Sequence, residues 1–257
     1  MIEKVVEGAR DTFVLDVVMP AVYNLFKVSE PPGFSSAYQE GLRQPGVVTV
    51  AYSIHQSHID VFGAALTSER LLRYAQQAVP EGRQSAVERF IMPVAASLET
   101  GHQGNFLRRG YHKTREMVQK KGLHLFSTAR KKDELYGIKR EPYRLKEIGR
   151  YLRARTNREG IMVFPEGSVQ AGRRKGDMKE DIYGIQEVSE HSLAMLFRIL
   201  RKRGHVMFIP LRMHGGFRAF SPDTYLTNLK TVMSIFSFGL LGKPVSLEMA
   251  MPVSDLE

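Results

Sequence analysis

The stretch Val47-Val-Thr-Val-Ala-Tyr-Ser-Ile54 decides the fold of this chain. It is short, apolar and rich in β-branched residues, and the turn-like Gln44-Pro-Gly46 precedes it, so it predicts a buried strand. After Asp60 the apolar residues change to a helical spacing. The polar cluster His55-Gln-Ser-His58-Ile-Asp60 therefore lies between a strand and a helix, where open α/β sheets collect their ligands.

Strands and helices alternate along the rest of the chain. The pattern of apolar residues predicts further strands at residues 124–128, 160–164, 205–211 and 245–249, and further helices at about 85–98, 143–155 and 185–201. In the helix at 143–155 we expect Leu145, Ile148 and Leu152 to share the apolar face. The alternation predicts an α/β fold, with a mostly parallel or mixed sheet flanked by helices.

The N-terminal part differs from this alternating region. Residues 1–30 contain an apolar stretch, 13–26, that is interrupted by polar residues and a proline. It predicts an amphipathic helix, which either packs into the core or lies on a membrane surface. Ser29-Glu-Pro-Pro-Gly-Phe-Ser-Ser36 breaks the helical pattern. We therefore expect one α/β domain over residues 37–257.

Composition limits the partners and the compartment. The 257 residues carry a net charge of +10, which favours a phosphorylated substrate or an anionic membrane surface. No nucleic-acid motif and no interleaving of basic with aromatic residues is present, so we expect no nucleic-acid partner. The absence of Cys excludes disulfides and a cysteinyl intermediate. With no secretory signal pattern and no apolar run of about 20 residues, we expect a cytoplasmic protein, peripheral on the inner face of the membrane.

The residues that are suited to catalysis or to ligand binding follow predicted strands. A His with a carboxylate close by, as in His55 and Asp60, is suited to general-base catalysis. In Phe164-Pro-Glu-Gly-Ser168 the glycine allows a tight turn that presents the carboxylate of Glu166 at the sheet edge. Gly172-Arg-Arg-Lys-Gly176 follows, and it is either a phosphate-binding loop or a solvated basic loop.

The order of four motifs resembles the glycerolipid acyltransferases, which include glycerol-3-phosphate and lysophosphatidate acyltransferases. The motifs are His55-x4-Asp60, a strand followed by Arg130, the Phe164-Pro-Glu-Gly167 turn, and a strand that Pro210 is expected to close. They extend over about residues 47–212, which is most of the predicted domain.

The resemblance implies a role for each position. His55 is the general base that deprotonates an acceptor hydroxyl, and Asp60 orients it. The acyl donor is a thioester of coenzyme A or acyl carrier protein, with no other cofactor. Arg130 binds the acceptor's phosphate. Glu166, Gly167 and the adjoining Ser168 shape the acceptor site. Residues 37–257 would then be an acyltransferase domain of phospholipid biosynthesis.

Two positions depart from the family pattern. Many members follow the Phe-Pro-Glu-Gly turn with Thr-Arg-Ser, whereas Ser168-Val-Gln170 stands here, so Arg173 or Arg174 would have to supply the cation. Gly104-Asn-Phe-Leu-Arg-Arg109 also matches the family's phosphate-binding motif, at a less fitting distance. Arg108 or Arg109 therefore competes with Arg130 for that role.

Two other classes of function remain open on the sequence. A metal-dependent hydrolase could use His55, His58 and Asp60 as ligands, because two imidazoles and a carboxylate suit zinc. The spacing differs, however, from the His-x-His-x-Asp-His pattern of metallo-β-lactamase-like sites. The second class is a non-catalytic membrane-binding protein that keeps the fold alone.

Overall fold

A computed structural model gives the fold of the protein, and it describes residues 13, 16–17, 19–53, 59–79, 83–100, 105–129, 134, 137–164, 190–202, 204–214 and 245–254. The strands are β1 Phe26–Ser29, β2 Val48–Ser53, β3 Arg89–Ala95, β4 Leu123–Thr128, β5 Glu159–Val163, β6 Val206–His214, β7 Val245–Met249 and β8 Val253–Ser254. The helices are α1 Met19–Ala21, α2 Phe34–Leu42, α3 Asp60–Gln77, α4 Ala96–Thr100, α5 Asn105–Gln119, α6 Arg140–Ala154 and α7 Glu190–Arg201. A 3-10 turn, Val22–Leu25, continues α1.

The eight strands form one mixed sheet, and this confirms the predicted α/β fold. Their order is β1-β7-β6-β2-β5-β3-β4, and β8 pairs with β6. The block from β6 to β4 is parallel throughout, whereas β7 and β8 run antiparallel to β6. The strand predicted from residues 47–54 is β2, which lies near the middle of the sheet between β6 and β5.

Helices cover both faces of the sheet. Alternate residues of β2 enter different hydrophobic clusters, since Ala51 packs with side chains of α2, α3 and α5, and Val50 packs with those of α6 and α7. Both residues are fully buried. A strand that is buried on both faces is expected to be an uninterrupted apolar run, which explains the sequence pattern of β2.

The helix predicted at residues 85–98 is wrong, because this segment forms β3 and then the short α4. Pro93 does not disturb the sheet. The amide of Phe90 donates toward β4, to Gly122 O at 2.8 Å, so alternation points the ring nitrogen of Pro93 toward β5. Pairing with β5 ends at Ile91, so the proline removes no ladder hydrogen bond.

Pro210 does not close its strand as predicted, because β6 continues to His214. Its carbonyl accepts a hydrogen bond from the amide of Ala250 at 2.9 Å, so its ring nitrogen faces the same side. On that side β7 ends at Met249 and β8 begins at Val253. A proline is tolerated inside β6 because it lies opposite this interruption.

Residues 19–25 pack against the domain, whereas Phe13 and Val17 are exposed. Met19, Val22 and Leu25 are buried in the larger hydrophobic cluster. The predicted helix does not extend to residue 30, because residues 26–29 form β1 and pair with β7. The N-terminal segment therefore supplies an edge strand of the sheet.

An ion cluster lies at the amino end of the sheet. The side chain of Glu159 is fully buried. Its carboxylate accepts hydrogen bonds from Arg89 Nε at 2.8 Å and Arg150 Nη2 at 2.7 Å. Burial, followed by the charges of Arg89 and Arg150, lowers the pKa of His124. These residues lie at the edge of the sheet opposite to the predicted site, so we expect them to stabilise the fold and to take no part in the chemistry.

Replacing Arg89 and Arg150 together with methionine is expected to lower the free energy of unfolding by about 3–5 kcal/mol, because the Glu159 carboxylate stays buried without a cation. Urea denaturation followed by circular dichroism measures the change. Adding Glu159→Leu to that double variant should restore much of the loss, since an apolar side chain needs no partner. A loss below about 1 kcal/mol in the double variant would show that water replaces the arginines.

Candidate functional site

The carboxyl ends of five parallel strands meet at one edge of the sheet. These strands, β2 to β6, end at Ser53, Ala95, Thr128, Val163 and His214. Because β2 and β5 are neighbours, the segment that carries the predicted base and the segment that carries the Pro-Glu-Gly turn begin side by side. Open parallel sheets bind their ligands at such an edge.

Of the predicted catalytic pair, Asp60 is the residue that the structure describes. It is the first residue of α3, and its exposed fraction is 0%. The positive end of the helix dipole favours a carboxylate in this position. Asp60 has an interaction partner. A fully buried carboxylate requires one, because burying an unpaired charge is costly. The structure therefore places a fixed carboxylate at the carboxyl edge, seven positions after the last residue of β2.

Several residues that the sequence singles out lie outside the described part of the chain. They are His55, His58, Arg130, Glu166, Gly167, Ser168, Arg173 and Arg174. The competing cations, Arg108 and Arg109, are described and exposed on the first turns of α5. The choice between them and Arg130 stays a prediction.

A first carboxylate holds the end of β4 on one face of the sheet. The hydroxyl of Ser127 donates a hydrogen bond to Glu99 of α4, and Arg115 lies 3.6 Å from the same carboxylate. Burial, followed by the charge of Glu99, raises the pKa of Tyr111, which lies beside this group. Sequence reasoning missed Glu99, because nothing in the pattern of α4 predicts a contact with β4.

A second carboxylate holds the next residue on the opposite face. Thr128 donates to the carboxylate of Glu147 on α6, and Tyr151 donates to the other oxygen at 3.0 Å. All three side chains are buried. Successive strand residues point to opposite faces, so two adjacent hydroxyls fix the end of β4 from both sides. The chain therefore leaves β4 toward Arg130 from a fixed point.

The two hydroxyls are expected to differ in their effect on stability. Thr128→Val leaves one oxygen of the buried Glu147 unpaired, and it should lower the free energy of unfolding by about 1–3 kcal/mol. Ser127→Ala should cost less, because the side chain of Glu99 is 40% exposed and water can replace the hydroxyl. Urea denaturation measures the free energy of unfolding of both variants. Equal losses would mean that the burial of Glu147 is not what sets the difference.

An open hollow of about 540 Å³ lies at the start of α6. Its lining includes the cations Lys139, Arg140 and Arg144 together with the carboxylates of Glu134 and Glu141. Asp60 is not among the described residues that line it.

No metal cluster is found within the described ranges, which do not include His55 and His58. The metal-dependent alternative therefore has to be decided by experiment. No helix among the described residues is long and apolar enough to cross a bilayer.

Comparison with known proteins does not assign the chain. No family model matches it, and no curated protein is significantly similar to it.

Proposed function

We propose that the protein is an O-acyltransferase that moves a fatty acyl group from an acyl thioester to a hydroxyl of a glycerol-phosphate-type acceptor. The donor is acyl-CoA or acyl carrier protein, and no other cofactor takes part. The reaction belongs to phospholipid synthesis. The protein works as a peripheral protein on the anionic inner face of the membrane.

The observation that supports this proposal most is the arrangement of the strand ends. Asp60 is fully buried at the start of the helix that follows β2. The strand that precedes the Phe164-Pro-Glu-Gly167 turn is the direct neighbour of β2. β4, which precedes Arg130, ends at the same edge. Three motifs that are far apart in the sequence thus begin at the same carboxyl edge of the sheet.

The proposed reaction uses direct transfer. His55 accepts the proton of the acceptor hydroxyl while the hydroxyl oxygen attacks the thioester carbonyl carbon. The charge of Asp60 stabilises the imidazolium that forms. When the tetrahedral intermediate collapses, the carbon–sulfur bond breaks and the imidazolium returns its proton to the departing thiolate. The chain contains no Cys, so no thiol is available to hold the acyl group between two half-reactions.

A panel assay tests the proposal. The purified protein is mixed with acyl-CoA or acyl carrier protein thioester and with glycerol 3-phosphate, lysophosphatidate or an unphosphorylated alcohol, and thiol release is followed. We expect release that depends on a phosphorylated acceptor, with the ester identified by mass spectrometry. Thiol release at the same rate without any acceptor would indicate a thioesterase and contradict the proposal.

A chelator separates the transferase from the metal-dependent hydrolase. Activity should survive dialysis against EDTA, because the proposed steps need only the imidazole and the carboxylate. Loss of activity that added zinc restores would favour His55, His58 and Asp60 as metal ligands.

The phosphate-binding arginine can be identified by kinetics. Arg130→Ala is expected to raise the KM for a phosphorylated acceptor by about 10- to 100-fold, because a charge-assisted hydrogen bond contributes roughly 1.5–3 kcal/mol. The KM for the acyl donor should stay unchanged. Arg109→Ala is the matched control, and a larger effect of this variant would transfer the role to the Gly104–Arg109 motif.

A further inference from the structure

Helix α6 leaves an apolar side chain in solvent. The sequence predicts that Leu145 shares one face of this helix with Ile148 and Leu152, and in the structure Leu145 is 63% exposed. The buried face is formed by Glu147, Tyr151 and Ala154 instead. Among the described residues Leu145 is the most exposed of the large hydrophobic side chains.

Cations surround Leu145. Its chain neighbours Arg144 and Lys146 are both exposed, and neither has an ion-pair partner in the part of the chain that the structure describes. Arg140 lies one turn before Arg144, and its guanidinium is 3.7 Å from Glu134. The exposed carboxylate of Glu141 also lies on this surface. We call the surface formed by Arg140, Arg144, Leu145 and Lys146 the basic–apolar face of α6.

This face lies near the carboxyl edge of the sheet, where the candidate site begins, although α6 and α3 cover opposite faces. β4 ends at the carboxyl edge, and α6 starts beyond it and runs back toward the beginning of β5. The first two turns of α6, which carry the basic–apolar face, are therefore closest to the carboxyl edge. The hollow at the start of α6 is lined by cations of the same face.

We infer that the basic–apolar face of α6 docks the protein on an anionic lipid bilayer. Arg144 and Lys146 attract the anionic headgroups, and Leu145 inserts between them toward the hydrocarbon. Docking in this orientation brings the carboxyl edge of the sheet to the lipid surface. The inference rests on the proposed function for its purpose, which is to reach a lipid acceptor, but its physical test needs no activity.

The same face suits nucleic acid less well. Bases are held by exposed aromatic rings between cations, and Tyr143, which precedes Arg144 in the helix, packs against the cluster of Ala96, Ala129 and Ile138. An exposed aliphatic side chain between two cations is instead typical of a surface that enters the headgroup layer.

Vesicle co-sedimentation tests the charges. Wild-type protein should bind vesicles of mixed phosphatidylglycerol and phosphatidylcholine and not vesicles of phosphatidylcholine alone. Replacing Arg144 and Lys146 with glutamine should weaken binding roughly 30-fold, since each cation near an anionic surface contributes a factor of about five. The matched control is Arg198→Gln with Lys202→Gln, which removes the same charge from exposed residues at the end of α7, beside the opposite edge of the sheet.

Fluorescence tests the insertion of residue 145. The chain contains no Trp, so Leu145→Trp provides a single reporter. Its emission should shift to shorter wavelength with anionic vesicles. Val253→Trp, at a residue that is 45% exposed on β8, should not shift. Thermal melting of every variant establishes that it is folded.

Three results would overturn the inference. The first is equal loss of vesicle binding in the two charge variants, which would indicate only a general attraction. The second is binding of vesicles without a shift at Leu145→Trp. The third is binding of an RNA oligonucleotide but not of vesicles at the same ionic strength. Because the vesicles contain no acceptor and no thioester, each result is distinguishable from a failure of the acyltransferase proposal.

Discussion

Replacing His55 with alanine is expected to lower acceptor-dependent thiol release by roughly 10²- to 10⁴-fold, the range that a general base contributes. The effect should fall mainly on kcat, because the imidazole moves a proton during the reaction and is not required to hold either substrate. The measurement is the steady-state rate with saturating acyl-CoA and the best acceptor from the panel. His112→Ala is the matched control, since this residue is exposed on α5.

The interpretation depends on a folded variant. His55→Ala should keep the circular dichroism spectrum and the vesicle binding of the wild type. If a folded His55→Ala protein retains wild-type turnover, the proposed mechanism is wrong. If His112→Ala loses activity equally, the assay reports a general sensitivity of the protein and not the base.

The second large effect is expected for Asp60→Asn. Asparagine keeps the volume of this fully buried side chain but removes the charge that stabilises the imidazolium. We expect a loss of about 10²- to 10⁴-fold in kcat with little change in either KM. The Asn amide also offers a hydrogen-bond donor where the carboxylate accepts, which favours the wrong tautomer of His55.

Glu159→Gln is a matched control for Asp60→Asn. It makes the same chemical change at another buried carboxylate, but at the amino end of the sheet. This variant should lose stability in urea because its two arginines lose their counter-charge, and its kcat should remain within about twofold of wild type, as expected away from the reacting groups. If both variants lose activity in proportion to their loss of stability, Asp60 has a structural role only.

The central strand and its helix could be predicted from the sequence because local chemistry determines both. β2 runs from Val48 to Ser53, inside the predicted 47–54, and α3 begins at Asp60, directly before the residues predicted to be helical. β3 was missed because its apolar residues fit either a strand or a helix. Pro93 adds to the ambiguity, since it is tolerated where the pairing of β3 with β5 has already ended at Ile91.

The face that α6 buries could not be predicted from its apolar residues. Its inner side carries Glu147, which is buried because Thr128 and Tyr151 donate hydrogen bonds to it. That stabilisation depends on residues outside the helix. The apolar pattern of Leu145, Ile148 and Leu152 contains no information about this stabilisation. The contact of Ser127 with Glu99 is non-local in the same way.

The strand order also determines how this chain can fold. β5 occupies the position between β2 and β3, although both of these strands precede it along the chain. A growing chain that ends before Glu159 therefore holds two strands with a vacant position between them. The pairing of β1 forms later still, because its partner β7 begins only at Val245. Pairings between distant segments form slowly, since the entropy of closing long loops is lost before the contacts are made. The sheet can close only after the residues of β7 have left the ribosome.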